Sequence, residues 1–301
     1  MQKKKRRIFM DRMLRNKKTI LLFLLPSLII FTATVVIPIL WSGYYSLYNW
    51  NGIGEMKFVG LDNFKVILKD RHFSNAFSNN LIYLLINLCG QLGIALLLAL
   101  LLSHLPHGNS FFKTIYFAPA ILSGVAVCQA FKNFYALDPP GLFNLLLQTI
   151  GFGNLQRVWL GNIDTALGSV ALIECYKNMG IYLVIIYAGL LSIPTSVIES
   201  AKLDGATGFR MFWYIKIPYL KNILAAALIM AVNGLLKAFD IPYITTYGGP
   251  GNATELVATY MYKTAFSSAK YGYGSAIAVV IAIECIVFVS VLQFILKRRQ
   301  D

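Results

Sequence analysis

At 301 residues, 57% hydrophobic and only 13% charged, the chain has too little charge to cover a soluble domain of its size, which points to an integral membrane protein. The formal net charge is +14, but nine of the 27 Lys and Arg residues fall within the first 18 positions. The charge is therefore a terminal cluster and not a nucleic-acid-binding face.

Residues 1–19 read as a basic cytoplasmic amino terminus, suited to anionic headgroups and retained on the inner side. Residues 20–41 form a first hydrophobic span, long enough for a bilayer core of about 30 Å and longer than the apolar region of a cleavable signal peptide. Residues 42–80 are an outer segment with Tyr44, Tyr45, Tyr48 and Trp50 at interface depth. Residues 81–296 form a five-helix core, with spans at 81–102, 115–134, 166–191, 223–241 and 275–296, and residues 297–301 are a cytoplasmic tail. The expected fold class is an all-α integral membrane protein with six transmembrane helices, multi-pass in the plasma membrane and in contact with its lipid. The segments assigned to the inside hold 17 Lys and Arg residues against 7 outside, which places both termini and the loop 192–222 in the cytoplasm. Cys89, Cys128, Cys175 and Cys285 all lie in apolar runs, spaced too widely for a zinc site, and read as buried free thiols.

In the fourth span Glu174 and Lys177 are three residues apart, as are Lys237 and Asp240 in the fifth. A charge at a helix centre costs about 2.5–3.5 kcal/mol, and this spacing lets each pair neutralise itself on one helix face. Two readings stay open. The pairs are structural and face other helices, or they line a passage to which Asn178 and Asn233 add hydrogen bonds. Glu284 in the sixth span has no nearby opposite charge in sequence, so it should face the interior and meet a partner from another helix. Tyr135, Tyr176, Tyr182 and Tyr243 suit stacking on a sugar ring and equally suit anchoring at the interface.

Between the fourth and fifth spans, residues 199–218 (ESAKLDGATGFRMFWYIKIP) are charged where their flanks are apolar. Ser196 and Glu199 have capping-box spacing, and Gly205 is placed to close a short helix in the left-handed conformation. Taken alone this describes a surface helix. However, Glu199-Ser200-Ala201, three residues, Gly205, nine residues, then Ile215-Lys216-Ile217-Pro218 is similar to the EAA loop of ABC importer permeases. Ser200 stands for an alanine and Ile217 for a leucine. Residues 111–119 (FFKTIYFAP), 188–194 (AGLLSIP) and 246–254 (TYGGPGNAT) resemble segments of the carbohydrate branch of that family.

The resemblance implies a permease subunit of a carbohydrate ABC importer, with a cytoplasmic coupling helix between the fourth and fifth spans. Glu199, Ser200, Ala201, Asp204, Gly205 and Ala206 would meet the ATPase. Glu174, Lys177, Asn178, Asn233, Lys237, Asp240 and Tyr243, on the spans before and after the loop, would line the substrate path. The Glu174–Lys177 pair leaves a charged or amino sugar open. Implied partners are a second homologous permease, two ABC ATPase subunits, an extracytoplasmic substrate-binding protein and the carbohydrate. The sequence has no G-x-x-x-x-G-K-[ST], H-E-x-x-H or paired C-x-x-C, and His104 and His107 read as a solvated link. The chain is thus expected not to be an enzyme and to bind no cofactor or metal, with ATP and Mg²⁺ on partner subunits. The alternative, from a different class, is an ion-coupled secondary transporter with a proton site at Glu174 or Asp240; a non-transporting channel or scaffold is a further rival.

Overall fold

A computed structural model describes residues 17–105 and 108–298. Most of the basic amino-terminal cluster, His107 and residues 299–301 lie outside the described residues. Helices long and apolar enough to cross a bilayer are α1 (Ile20–Tyr45), α3 (Arg71–Ser103), α7 (Ile163–Leu191), α9 (Gly208–Leu236) and α12 (Tyr271–Leu296). Shorter helices are α2 (Asp62–Lys69), α4 (Asn109–Ile121), α5 (Gly124–Phe134), α6 (Leu142–Thr149), α8 (Thr195–Leu203), α10 (Asp240–Thr246) and α11 (Val257–Tyr262). Strands β1 (Tyr48–Asn49) and β2 (Lys57–Phe58) pair antiparallel, Tyr48 opposite Phe58.

Helix α7 is the hub, packing on α3, α4 and α9. Small residues permit this. A Cβ on Gly180 would strike the carbonyl oxygen of Tyr116 on α4, and one on Gly189 would fall 2.5 Å from Ile223 on α9, so both glycines serve close helix approach. Helix α1 packs along α12, and none of its most apolar window is buried in the chain, as a lipid-facing helix requires.

Three expected spans differ in detail. The third is not one helix: α4 and α5 meet at 99°. Pro119 removes a hydrogen bond from the last turn of α4, and Leu122 and Ser123 are extended (ψ 147° and 134°). The fifth ends at Leu236 and not at residue 241. Continuing it would need an N–H from Pro242 to the carbonyl of Ala238; instead the chain restarts at Asp240 with Pro242 in a first turn, where no N–H is required. Helix α3, in turn, begins at Arg71, ahead of residue 81, because the Asp70 carboxylate accepts from the His72 N–H at 2.8 Å and caps it.

Asp70 also knits the outer end together. Its Oδ2 accepts from the hydroxyls of Tyr260 at 2.5 Å and Tyr273 at 2.7 Å. Burial pushes this carboxyl up, but the two hydroxyls and the backbone N–H groups of His72 and Phe73 outweigh it and hold it below the usual carboxylate range. Burial and the neighbouring Asp70 charge push Tyr260 up to about 12. A lowered folded-state value contributes stability above the ordinary value, near pH 4, and loses it as pH falls through the folded one. In Asp70→Asn the outer segment should be more open to limited proteolysis at neutral pH, and its sensitivity should no longer rise in acid. A mutant profile that parallels wild type would refute the tether.

Candidate functional site

Two apolar clusters fill the bundle. One contains Leu84, Val127, Val170, Ile173, Val232 and Leu236; the other contains Ala95, Ala99, Leu183, Ile186, Leu220 and Ala227. Between them, midway along α3 and α7, lies a polar layer. Asn80, Tyr83, Asn87 and Gln91 recur three or four residues apart and so share one face of α3; all are buried. Gln91 Nε2 donates to Asn87 Oδ1 at 3.0 Å and to the Glu174 carbonyl at 3.4 Å. Tyr83 donates its hydroxyl to Glu174 Oε2 at 3.2 Å, and Asn178 Nδ2 donates to Glu174 Oε1 at 2.6 Å. A π-helical turn at Leu88–Leu92 carries Gln91, and a Cβ on Gly90 within it would fall 2.8 Å from Cys175 Sγ, so the glycine lets α3 close onto α7.

This layer corrects the expected self-neutralising pairs. Among the described residues no ion pair joins Glu174 to Lys177 or Lys237 to Asp240. The Glu174 carboxylate accepts from an amide and a phenol, and Lys177 acts on it across space without a contact ion pair. Lys237 and Asp240 cannot share a helix face, because the break after Leu236 falls between them. Glu284 is interior as expected, 8% exposed, but both carboxylate oxygens lack a partner among the described residues.

The fold nonetheless gathers residues from three elements here. Lys132 of α5, Glu174 and Lys177 of α7, and Asp240 of α10 are all within electrostatic range of Cys128, and Lys132 Nζ donates to the Ile244 carbonyl at 2.8 Å. Tyr243 stacks on Phe239, centroids 4.8 Å apart, and meets Tyr262 edge-on at 5.2 Å. Asn233, Lys237 and Asp240 are exposed on the isolated chain. Tyr135 and Tyr182 are buried in the apolar clusters and offer no stacking face, which removes them as sugar platforms. Sequence reasoning missed Tyr83, Asn87 and Gln91; their helical spacing as a polar stripe in an apolar segment was the available signal.

The second feature is α8, off the end of α7. The expected capping box is not formed: the helix starts at Thr195 behind Pro194, with no side-chain cap, so Ser196 lies inside the first turn. The far end is as expected. Gly205 has φ +79°, its N–H reaches the Lys202 carbonyl at 3.0 Å, and the Ala206 N–H reaches that of Ala201 at 2.8 Å. That bond pair is a Schellman closure. Ala201 is buried against the bundle and Ala206 half-buried, while Glu199, Ser200, Asp204 and Gly205 are exposed. Leu203 is 89% exposed, so the helix presents an apolar tip flanked by carboxylates.

A bundle with a mid-span polar layer and a short motif-bearing helix at one end defines the membrane-spanning component of a transport system. The family model for the binding-protein-dependent transport system inner membrane component matches residues 19–301, and the chain belongs to that family. It is 36% identical over 272 residues to a Bacillus subtilis (strain 168) protein described as "Probable ABC transporter permease protein YurN", covering 89% of this chain and 92% of that one. It is 32% identical to the multiple sugar-binding transport system permease protein MsmF of Streptococcus mutans serotype c, covering 92% and 94%. A bacterial alginate ABC transporter, crystallised with an alginate pentasaccharide-bound periplasmic protein, has the same fold at TM-score 0.80 and 23% identity, covering 94% of this chain and 96% of that one. These likenesses support an ABC permease and not the ion-coupled secondary transporter.

Proposed function

We propose that this chain is the permease subunit of an ATP-driven importer that moves a sugar or oligosaccharide across the plasma membrane by alternating access. The observation that carries the reading is the polar layer of buried Tyr83, Asn87 and Gln91 with half-buried Glu174 and Asn178, which brings amides, a phenol and a carboxylate together at mid-span. Hydroxyl-rich substrates need that mixture of donors and acceptors in a site otherwise apolar. The sugar-binding description of MsmF supports the substrate class. The exposed Asn233, Lys237 and Asp240 cannot face lipid cheaply, so a second, homologous permease covers them and the passage runs between the two. Helix α8, with Glu199, Ser200, Asp204 and Gly205 exposed, is the coupling helix for one of two ABC ATPase subunits, which carry the ATP and Mg²⁺. An external binding protein delivers the substrate. Six spans, counting α4 and α5 as one, put both termini and α8 in the cytoplasm.

Uptake of labelled oligosaccharides by cells carrying the whole system tests the function. It should require a binding protein and ATP and survive collapse of the proton gradient; uptake that stops with the gradient while ATP is held would overturn it. Topology is read separately, with single cysteines in a background lacking Cys89, Cys128, Cys175 and Cys285. Asn51→Cys and Ser268→Cys, both at exposed positions, should react with an impermeant thiol reagent on intact cells. Lys202→Cys should react only after permeabilisation. Labelling of Lys202→Cys from outside would sink the orientation.

A further inference from the structure

Beneath α8 lies a cavity of about 560 Å³, walled by Leu100 and His104 from the end of α3, Ile198 and Lys202 from α8, and Phe209 and Lys216 from the start of α9. Its lining contains no carboxylate. Glu199 on α8 and Asp204 just after its last turn do not line it, and among the described residues neither Lys202 nor Lys216 makes an ion pair. Lys202 stands within electrostatic range of Lys216, so two like charges flank one hollow. Among the described residues Lys216 has a single weak hydrogen-bond partner. His104 Nδ1 lies 2.7 Å from the Leu100 carbonyl, which only accepts, so that nitrogen carries the proton. Its Nε2, 3.5 Å from Lys216 Nζ, is left as a distant acceptor. An ammonium has three donors, and here they are almost unused.

Exposed Trp213, Tyr214 and Tyr219 stand beside Lys216 on the same helix, the residue types that mark a membrane–water interface. Basic side chains at that depth ordinarily extend along apolar surface into water. A hollow with apolar walls, unneutralised ammonium groups and no acid is a different arrangement: it complements an anion attached to something apolar. We propose that this cavity binds a phosphate group, carried by an anionic phospholipid headgroup or by a soluble phosphate ester, and so ties occupancy by that anion to the position of α8. The inference rests on the proposed function for the cytoplasmic location of α8 and for its coupling role.

The test is native mass spectrometry on the assembled transporter, released from nanodiscs of phosphatidylcholine with or without phosphatidylglycerol. Wild type should retain phosphatidylglycerol. Lys202→Gln and Lys216→Gln should each lose about fivefold in retention, and Lys→Arg at either position should restore it. Arg210→Gln, at an exposed basic position that does not line the cavity, should retain it as wild type does. An equal loss in Arg210→Gln means general surface attraction and overturns the proposal. So does retention by the isolated chain that vanishes in the assembled transporter, because the ATPase then fills the cavity. If phosphatidylglycerol is not retained but glycerol 3-phosphate or inorganic phosphate is, with the same lysine dependence, the source is soluble and the anion site stands; binding of neither overturns it. Retention does not depend on transport, whereas the orientation and uptake experiments report on the permease reading alone, so the two fail independently.

Discussion

Gly205→Asp should abolish substrate-stimulated ATP hydrolysis in the reconstituted transporter while leaving the chain in the membrane at near-normal abundance. Gly205 closes α8 with φ +79°, and a Cβ there would meet nothing within 4 Å. The cost of a side chain is thus confined to the left-handed backbone, about 1–2 kcal/mol, too little to unfold a bundle of this size. The damage is at the surface. Gly205 is exposed beside Asp204 and the bare tip of Leu203, and a second carboxylate there would be desolvated on entering an ATPase cleft. Glu199→Lys should be milder. It reverses an exposed charge at the fifth position of α8, beyond the first turn, so folding should be unaffected and stimulated hydrolysis partly reduced. Basal hydrolysis by the ATPase subunits should persist in both. Normal transport by Gly205→Asp at normal abundance would remove the coupling role of α8.

Asn178→Ala should lower uptake by about tenfold with assembly intact. Asn178 supplies the shorter of the two side-chain bonds to Glu174, 2.6 Å against 3.2 Å from Tyr83. Leaving one half-buried acceptor short of a donor costs about 1–3 kcal/mol, roughly a fivefold to hundredfold change where that group engages substrate. Glu174→Gln keeps the shape and removes the charge, so it separates the two demands. If the layer is only a structural staple, Glu174→Gln and Asn178→Ala should lower the yield of assembled transporter, and the survivors should transport with unchanged substrate preference. If it lines the passage, yield is held while preference and uptake change. Lys177→Ala, with no ion partner among the described residues, should spare the fold. It should alter uptake most for an anionic sugar.

Residues whose meaning is local were legible in the chain alone. Hydropathy is a property of contiguous sequence, so the membrane class and the approximate spans followed from it. Gly205 could be placed because a left-handed closure depends on one residue's missing Cβ and on bonds within a single turn. The capping box was misread since Pro194, with its preset backbone, starts the helix ahead of Ser196. Pro119 and Pro242 carried the signals for the bend after α4 and the break after Leu236. Hydrophobicity continues across both, and it hid them.

Pairing was beyond the sequence. Spacing put Glu174 with Lys177 because helix geometry makes i and i+3 neighbours; the fold put Glu174 with Tyr83, 91 positions away, because Gly90 lets α3 approach α7. The cavity under α8 is likewise a product of distance, joining Leu100 and His104 to Lys202 and Lys216. A chain specifies where each helix begins and which face is apolar through interactions within a few residues. Which polar groups then satisfy one another is decided by close packing between helices, where a single missing side chain sets the separation.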